Sequence, residues 1–225
     1  MFGVLGAMEE EVKALRMSLA RPITKTVLGI QVTSGQLDGT ELLLARSGVG
    51  KVNAALATAA LVQLGATKVV FTGMAGGIGD GVKLGDVVVA TDLVQHDIDV
   101  TAMGRKPGEL LDEPLSWPTD PALSADLALA AAAHAATVHR GRIASGDQFI
   151  ASPSVAKRIA AQFGAIAVEM EGAACAQVAA KLQVEVGILR WISDTADEKA
   201  STDFPAFCNH IAELDLAILR TLVAH

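Results

Sequence analysis

Residues 165–174 have the sequence AIAVEMEGAA, in which an apolar run carries two acids and then passes into small residues. Ala165–Val168 is typical of a buried strand, and Gly172–Leu182 has the small and apolar residues of a helix. Glu169 and Glu171 fall between them, at a strand end, which is where open α/β sheets keep their ligand sites. The stretch therefore predicts a strand that delivers acids to the mouth of a sheet.

Outward from this stretch, apolar strands alternate with helices along the chain. The predicted strands are Phe2–Ala7, Gln31–Leu37, Glu41–Arg46, Lys68–Phe71, Val87–Thr91, Arg142–Ser145, Ala165–Val168 and Val186–Ile192. The predicted helices are Met8–Leu19, Lys51–Leu64, Pro121–Ala136, Pro153–Gln162, Gly172–Leu182 and Phe204–Val223. This alternation predicts a layered α/β/α fold with a central mixed, mostly parallel sheet, and 225 residues fit a single domain over positions 1–225.

Turn signals divide these elements. Asp38-Gly39 lies between two alternating strands and indicates a hairpin. Pro22 is predicted to close the first helix. Residues 74–86 are rich in glycine and 107–121 contain four prolines, so both are predicted to be irregular connections.

The composition limits the classes of protein to which the chain can belong. A charge of −7 without a basic cluster disfavours nucleic acid and anionic membranes as partners. The uncharged runs 52–67 and 127–139 are too short to span a bilayer, and the acids close to Met1 do not fit a signal peptide. Cys175 and Cys208 lie in apolar helical patterns and are interpreted as buried hydrophobes. We therefore expect a soluble cytoplasmic protein.

Two glycine motifs suggest nucleotide phosphates but do not fit them. Gly50-Lys51 resembles the end of a phosphate loop, yet Ala45 replaces its first Gly and Val52 replaces the Ser or Thr that holds magnesium. Gly48 opens a helix after a strand, but Asn53 stands where the dinucleotide fingerprint has Gly or Ala. We interpret these glycines as positions where the backbone approaches a small, flat ligand closely.

His96, Asp97 and Asp99 have the residue types of metal ligands. The sequence has no third cluster with metal spacing to complete such a site. A solvated or interface loop is the better interpretation, and no metal or organic cofactor is expected.

Four acids follow or end predicted strands: Glu11, Glu169, Glu171 and Asp194. Each acid alone is explained by a structural role, as a helix first-turn charge, a salt-bridge partner or a cap. The ends of parallel strands lie along one edge of a sheet, so the four acids can converge on one cleft. With Arg190 and the Phe149-Ile150 pair they predict a polar site with apolar walls.

Six motifs resemble those of the 5′-methylthioadenosine/S-adenosylhomocysteine nucleosidase family. In chain order they are GAMEEEV, SGVGKVNAA, FTGMAGG, SGDQFI, AVEMEGAA and RWISDTAD, from residue 6 to residue 197. The VEMEGAA and ISD pieces are shared with the wider nucleoside phosphorylase superfamily, whereas GAMEEE together with SGDQFI is specific to the nucleosidases and their close relatives. The resemblance implies a nucleoside phosphorylase-like fold and hydrolysis of the N-glycosidic bond of adenine thionucleosides.

The resemblance also implies roles for individual residues. Asp194 matches the general acid that protonates adenine N7, and Glu11 matches the general base that activates water. Glu171 matches the residue that holds the ribose hydroxyls, with Met170 beneath the sugar. Glycosidic cleavage needs such groups, because adenine is a poor leaving anion and water is a weak nucleophile.

Further positions match substrate-binding residues of the family. Phe149 matches the aromatic residue stacked on the base, Ile150 the backbone that reads its edge, and Arg190 and Ser193 residues that orient the site. Met8, Val49 and Phe204 match the apolar pocket for the 5′-thio substituent. The other candidate substrate-binding residues are Ala75, Gly76, Glu169 and Ala196. Glu169 is the least specific of these, since a structural role explains it as well. Val100 and Met103 match positions that reach into a partner subunit's site, which implies a homodimer.

Two positions depart from the family pattern, and three other functions remain open. Met74 stands where many members have Ser or Val, and Met103 stands where some have Phe. A phosphate-dependent purine nucleoside phosphorylase is disfavoured, because Phe71 and Met74 replace the Arg and Ser of that class. A futalosine-type hydrolase differs only in substrate. A non-catalytic nucleoside-binding protein is expected to lack Glu11 or Asp194, and both are present.

Overall fold

The structure is a computed structural model that describes residues 1–135, 137–195 and 204–224, with the side chains of 195, 204–207 and 209 outside that description. The strands are β1 (Phe2–Gly6), β2 (Ala20–Val27), β3 (Ile30–Leu37), β4 (Thr40–Arg46), β5 (Lys68–Phe71), β6 (Met74–Gly77), β7 (Val87–Gln95), β8 (Ser116–Pro118), β9 (Val138–Ser145), β10 (Ala165–Glu169) and β11 (Glu185–Thr195). The helices are α1 (Glu9–Ser18), α2 (Lys51–Gln63), α3 (Pro121–Ala132), α4 (Pro153–Phe163), α5 (Gly172–Leu182) and α6 (Phe204–Val223).

The strands form one sheet that closes on itself over part of its length. Their order is β2-β3-β4-β1-β5-β11-β6-β10-β9-β7-β8, and β11 also pairs with β7. Strand β11 pairs with three other strands: its residues 185–188 pair with β5, 189–191 with β7, and 191–195 with β6. Strands β11, β6, β10, β9 and β7 therefore make a closed ring, from which β5, β1, β4, β3 and β2 extend as an open sheet.

The prediction of a mixed sheet in a layered α/β fold is confirmed, and parallel pairings outnumber antiparallel ones only narrowly. Among the described residues, six strand pairs are parallel and five are antiparallel. Strand β10 runs antiparallel to β6, whereas β11 runs parallel to it. Strands β10 and β11 therefore run in opposite directions, and the prediction that parallel strand ends bring their acids together is wrong.

Closure of the ring brings these two strand ends together instead. Gly76 of β6 pairs with Val168 of β10 on one side and with Asp194 of β11 on the other. A Cβ atom on Gly76 would lie 3.0 Å from Asp194 Oδ1 and 3.4 Å from Val168 Cγ1. The absence of a side chain on this glycine allows both neighbours to approach, so the acid ends of β10 and β11 flank one short strand.

Helices cover both faces of the open sheet, as the alternation of side chains along its strands requires. In β1, Leu5 belongs to the apolar cluster that contains α2 and α5, whereas Val4 belongs to the cluster that contains α1, α3 and α6. In β5, Phe71 and Val70 divide between the two clusters in the same way. Successive side chains of a strand point to opposite faces, so each strand is buried on both sides.

Several elements differ from the sequence prediction. Strand β2 follows α1 directly, and Pro22 lies in this exposed edge strand instead of only ending a helix. Residues 74–86 and 107–121 were predicted to be irregular, but they contain β6 and β8. Strands β7 and β9 are each longer than predicted, because pairing with each other extends them.

Other expectations hold. The hairpin at Asp38-Gly39 joins β3 and β4, and Cys175 and Cys208 are buried. The structure also shows that Asp120 caps α3, since its side chain accepts from Leu123 N–H at 2.8 Å. Within the described residues, none of the helices is both long enough and apolar enough to cross a membrane. A cytoplasmic location stays a prediction.

Candidate active site

A cavity of about 270 Å³ lies where the ring meets the open sheet. Its walls come from β6, β10, β11, the start of α1 and the loops before α2 and after β9. The lining residues are Ala7, Met8, Glu11, Val49, Met74, Ala75, Gly76, Gln148, Phe149, Ile150, Val168, Glu169, Met170, Glu171, Ser193 and Asp194. All four acids named from the sequence line this one cavity.

Glu11 is held by main-chain amides. It lies in the first turn of α1, and its Oε2 accepts hydrogen bonds from Ala7 N at 2.6 Å and Met8 N at 2.9 Å. Its Oε1 accepts a third from Met74 N at 3.2 Å. Burial raises the pKa of Glu11, while these amides oppose the rise by favouring the carboxylate. A fixed, desolvated carboxylate of this kind is suited to accepting a proton from water.

Glu169 and Arg190 form an ion pair beneath the cavity. The Arg190 guanidinium is fully buried and donates to Glu169 Oε2 through Nη2 at 2.6 Å and Nε at 3.1 Å. The other oxygen, Oε1, accepts from the Ser145 hydroxyl and from Gly172 N. Protein donors therefore occupy both oxygens of Glu169, so its geometry favours a scaffold role over contact with a ligand.

Glu171 faces the cavity from the loop that opens α5. Its Oε1 accepts a hydrogen bond from Gly50 N at 2.7 Å, at the start of α2. Burial, reinforced by the negative charge of Glu169, raises the pKa of Glu171 to about 7. This carboxyl group is therefore poised between its charged and neutral forms near neutral pH and can accept or donate hydrogen bonds to hydroxyl groups.

Asp194 lies near the end of β11, beside Gly76 of β6. Burial raises the pKa of Asp194 above its ordinary value. Its neighbour Ser193 donates from its hydroxyl to the carbonyl of Ala75 at 3.4 Å. A raised pKa favours the protonated form, which is the form that can act as a general acid.

Apolar side chains form the remaining walls. Met8, Met74 and Met170 contribute three thioethers, which are flexible and adapt to irregular shapes. Phe149 is 77% exposed and Val49 is half exposed, so both present apolar surface at the cavity mouth. The cavity combines acids on one side with flat and adaptable apolar surface on the other.

Comparisons with known proteins agree with this arrangement. The profile of the phosphorylase superfamily matches residues 1–224. The 5′-methylthioadenosine/S-adenosylhomocysteine nucleosidase of Shewanella denitrificans is 38% identical over 98% of this chain and 99% of its own length. The chain belongs to this nucleosidase family. The nucleosidase of Neisseria meningitidis, solved with methylthio-immucillin-A, has a TM-score of 0.91 and 38% identity over 99% of this chain and 97% of its own.

One structural relative of this nucleosidase family has a different name. A structure described as the futalosine hydrolase of Helicobacter pylori has a TM-score of 0.91 and 35% identity, over 99% of this chain and 97% of its own. The fold and the overall similarity therefore do not separate the two substrates.

The structure brings together most of the residues matched to the nucleosidase family, but not all. Arg190 lies beneath the cavity, is not one of its lining residues, and donates to the lining residue Glu169. Val100 precedes a short 3-10 turn, Thr101–Met103, and neither it nor Met103 lines the cavity. Ala196 and the side chain of Phe204 lie outside the described residues.

Sequence reasoning did not name Ala7, Gln148 and Val168 as site residues, and it treated Met74 only as a departure. All three lie within quoted motifs, Ala7 in GAMEEEV, Gln148 in SGDQFI and Val168 in AVEMEGAA, and these motifs gave a signal that could have identified them. Ala7 acts through its main-chain N–H, which donates to Glu11 and leaves no mark on residue type.

Proposed function

We propose that the chain hydrolyses the N-glycosidic bond of 5′-methylthioadenosine and S-adenosylhomocysteine, and also of 5′-deoxyadenosine. The observation that carries the proposal is the pairing, across one cavity, of an amide-held Glu11 with a partly buried Asp194. Two carboxyl groups with these different settings can act as base and acid at the same pH.

In the proposed reaction, Asp194 donates its proton to adenine N7 while the C1′–N9 bond breaks and its electron pair passes to the base. The sugar develops positive charge, which the acids around the cavity stabilise. Water attacks C1′, and Glu11 accepts the proton that the water loses. The products are adenine and the ribose that carries the substrate's 5′ group, and transfer of one proton from Glu11 back to Asp194 restores the enzyme.

The other roles follow from the same placement of the substrate. Glu171 holds the ribose hydroxyls, and Met170 lies beneath the sugar. Phe149 stacks on adenine, which covers its exposed ring, and the backbone of Ile150 reads the edge of the base. Met8 and Val49 contact the 5′-thio substituent, for which apolar surface is suited.

Water is the proposed nucleophile because the cavity is unsuited to phosphate. Among the lining residues that the structure describes, none is Lys or Arg. The nearby Arg190 is neutralised by Glu169, and the Glu11 carboxylate would repel an anion. A desolvated phosphate without a cationic partner is costly, so the geometry favours a hydrolase over a phosphorylase.

Adenine release by the purified protein tests the proposal. The panel is 5′-methylthioadenosine, S-adenosylhomocysteine, 5′-deoxyadenosine and a futalosine-type nucleoside, each with and without added phosphate. We expect release from the thionucleosides at a rate that phosphate does not change. A requirement for phosphate would assign a phosphorylase, and release from the futalosine-type nucleoside alone would assign the rival hydrolase.

We also propose that the active form is a homodimer. Val52 and Leu56 lie one turn apart at the start of α2 and are exposed, next to exposed Val49 and Phe149 at the cavity mouth. Contact between two copies would bury this surface and would bring Val100 and Met103 of one copy to the other's cavity. Sedimentation should give a dimer, and Val52→Glu should shift it towards monomer with an increase in KM. A monomeric wild type with full activity would contradict this proposal.

A further inference from the structure

The start of α2 is joined to two loops that face it across the cavity mouth. Gly50 N donates to Glu171 Oε1 at 2.7 Å, and Lys51 N donates to Asp147 Oδ1 at 2.8 Å. Lys51 N is the first amide of the helix and Gly50 N belongs to its N-cap residue, so both lie at the helix end that favours negative charge. Each of the two amides thus binds a carboxylate from a different loop.

Asp97, which follows β7, completes this arrangement as a ring of hydrogen bonds. Its Oδ1 accepts from Lys51 Nζ at 2.6 Å, and its Oδ2 accepts from Asp147 N at 2.9 Å. The side chains of Lys51 and Asp97 are only 16% and 12% exposed. Burial pushes the pKa of Asp97 upward, but the bonds from Lys51 and Asp147 N outweigh it and lower the pKa. The carboxylate form is therefore the form that the ring holds.

The hydrogen-bond ring around Asp97 fixes two segments that line the cavity. Val49 immediately precedes Gly50, and Phe149 follows Asp147 by two residues. Asp97 itself does not line the cavity. Asp97 contacts Lys51 and Asp147, which lie two residues from Val49 and Phe149 in the chain. It therefore links both segments to the end of β7.

We propose that Asp97 is a positioning residue that sets the distance between the α2 entrance and the loop after β9, and so preforms the mouth that receives the nucleoside. It acts through Lys51 and Asp147 and touches no substrate. This inference rests on the proposed function, because it assigns Val49 and Phe149 to the same ligand. Loss of the ring weakens substrate binding without changing the groups that carry out the reaction.

Asp97→Asn is the sharpest test. Both oxygens of Asp97 accept from donors, whereas an amide has one acceptor atom and one donor group, so one bond of the ring must fail. We expect KM to rise on the order of tenfold, as for loss of one charge-assisted hydrogen bond, with kcat changed less than about twofold. Asp97→Ala, which loses both bonds, should raise KM further.

Asp92→Asn is the matched control. Asp92 lies on β7 and forms a partly buried ion pair with Arg142 at 2.5 Å, away from the cavity. It should lower the melting temperature while leaving KM unchanged. If Asp92→Asn and Asp97→Asn raised KM equally, the loss of any ion pair in or next to β7 would have the same effect on substrate binding. That result would overturn the proposal.

Lys51→Met supplies an independent variant if Asp97→Asn folds poorly, because it removes the same ion pair and keeps the Lys51 N–H bond to Asp147. The two changes together should raise KM less than the product of their separate effects. Normal wild-type adenine release with an unchanged KM in both variants would overturn the positioning role.

If the wild type released no adenine, the proposed function would be wrong. The affinity of wild type and Asp97→Asn for adenine, measured by calorimetry, would still decide whether Asp97 shapes the mouth.

Discussion

Glu11 is buried and Asp194 is partly buried, and their surroundings suit opposite roles. Burial alone favours the neutral form of each carboxyl group and raises both pKa values. Glu11 also accepts three main-chain N–H groups, which stabilise its charged form and fix its orientation. The difference between base and acid thus comes from hydrogen bonds that the residue types alone do not reveal.

Asp194→Asn should separate binding from chemistry. The amide has nearly the same shape but cannot give a proton to adenine N7, so kcat should fall by about 10²- to 10⁴-fold, the usual worth of a general acid. Binding of 5′-methylthioadenosine, measured by calorimetry, should stay within a few-fold of wild-type. Asp126→Asn, which changes an exposed acid on α3, is the control and should keep full activity. Unchanged turnover in Asp194→Asn would remove this residue from the mechanism.

Gly73→Ala should displace the Glu11 carboxylate while leaving residue 11 itself unchanged. Gly73 has φ +148°, and a Cβ atom there would lie 2.7 Å from Glu11 Oε1. We expect kcat/KM to fall on the order of 100-fold, because a small displacement of a reacting group is costly. Gly39→Ala has a similar backbone strain at φ +92° with open space around it, so it should cost stability alone. Equal activity in the two variants would show that Glu11 tolerates the shift.

At the scale of elements, the sequence predicted those strands whose pattern is local. The alternation around Asp38-Gly39 indicated β3 and β4, and continuous apolar runs indicated β5 and β10. Strand β6 was missed because its sequence, MAGG, has no strand signal of its own and is ordered by pairing with β10 and β11. Strand β2 was missed because nearly all its residues are exposed. Pairing between distant segments decides β6, whereas β2 pairs with β3, its neighbour in the chain.

The contact between β11 and α6 contains a buried acid that the reaction does not use. Asp215 of α6 accepts a hydrogen bond from Trp191 Nε1 at 2.8 Å. Burial raises the pKa of Asp215 to about 7, opposed by the Trp191 bond and reinforced by the charge of Glu11. Because the folded pKa exceeds the ordinary value of 3.8, the proton on Asp215 stabilises the fold fully below pH 3.8, and this contribution is lost as pH rises through about 7.

Asp215→Asn should therefore remove a pH-dependent part of stability. The variant keeps an oxygen for Trp191 and carries no titrating proton, so its free energy of unfolding relative to wild-type should increase between pH 5 and pH 8. The increase should amount to a few kcal/mol at most. Urea unfolding at both pH values measures it, with Asp126→Asn as the control that has no such trend. A difference that does not depend on pH would mean that Asp215 is already ionised in the folded protein at pH 5.

At the scale of the whole molecule, the site exists only when distant parts of the chain meet. Glu11 comes from the first turn of α1, whereas Asp194 comes from the last strand, and the closed ring brings Glu171 and the Phe149 loop towards them. The motifs named most lining residues, because each motif lies at the end of an element. The sequence could not show that Arg190 is withdrawn beneath the cavity, since that depends on its pairing with Glu169.

A ligand that bridges these parts should stabilise the entire fold. At a concentration of 100 Kd, a ligand that binds only the folded state adds about 2.7 kcal/mol, which corresponds to a rise of about 5–10 °C in melting temperature for a chain of this size. The Asp194→Asn variant with 5′-methylthioadenosine allows the measurement without turnover. Adenosine 5′-monophosphate should give little shift, because four acids line the cavity and its described lining carries no Lys or Arg. An equal shift with the monophosphate would contradict the charge argument that excludes phosphate from this site.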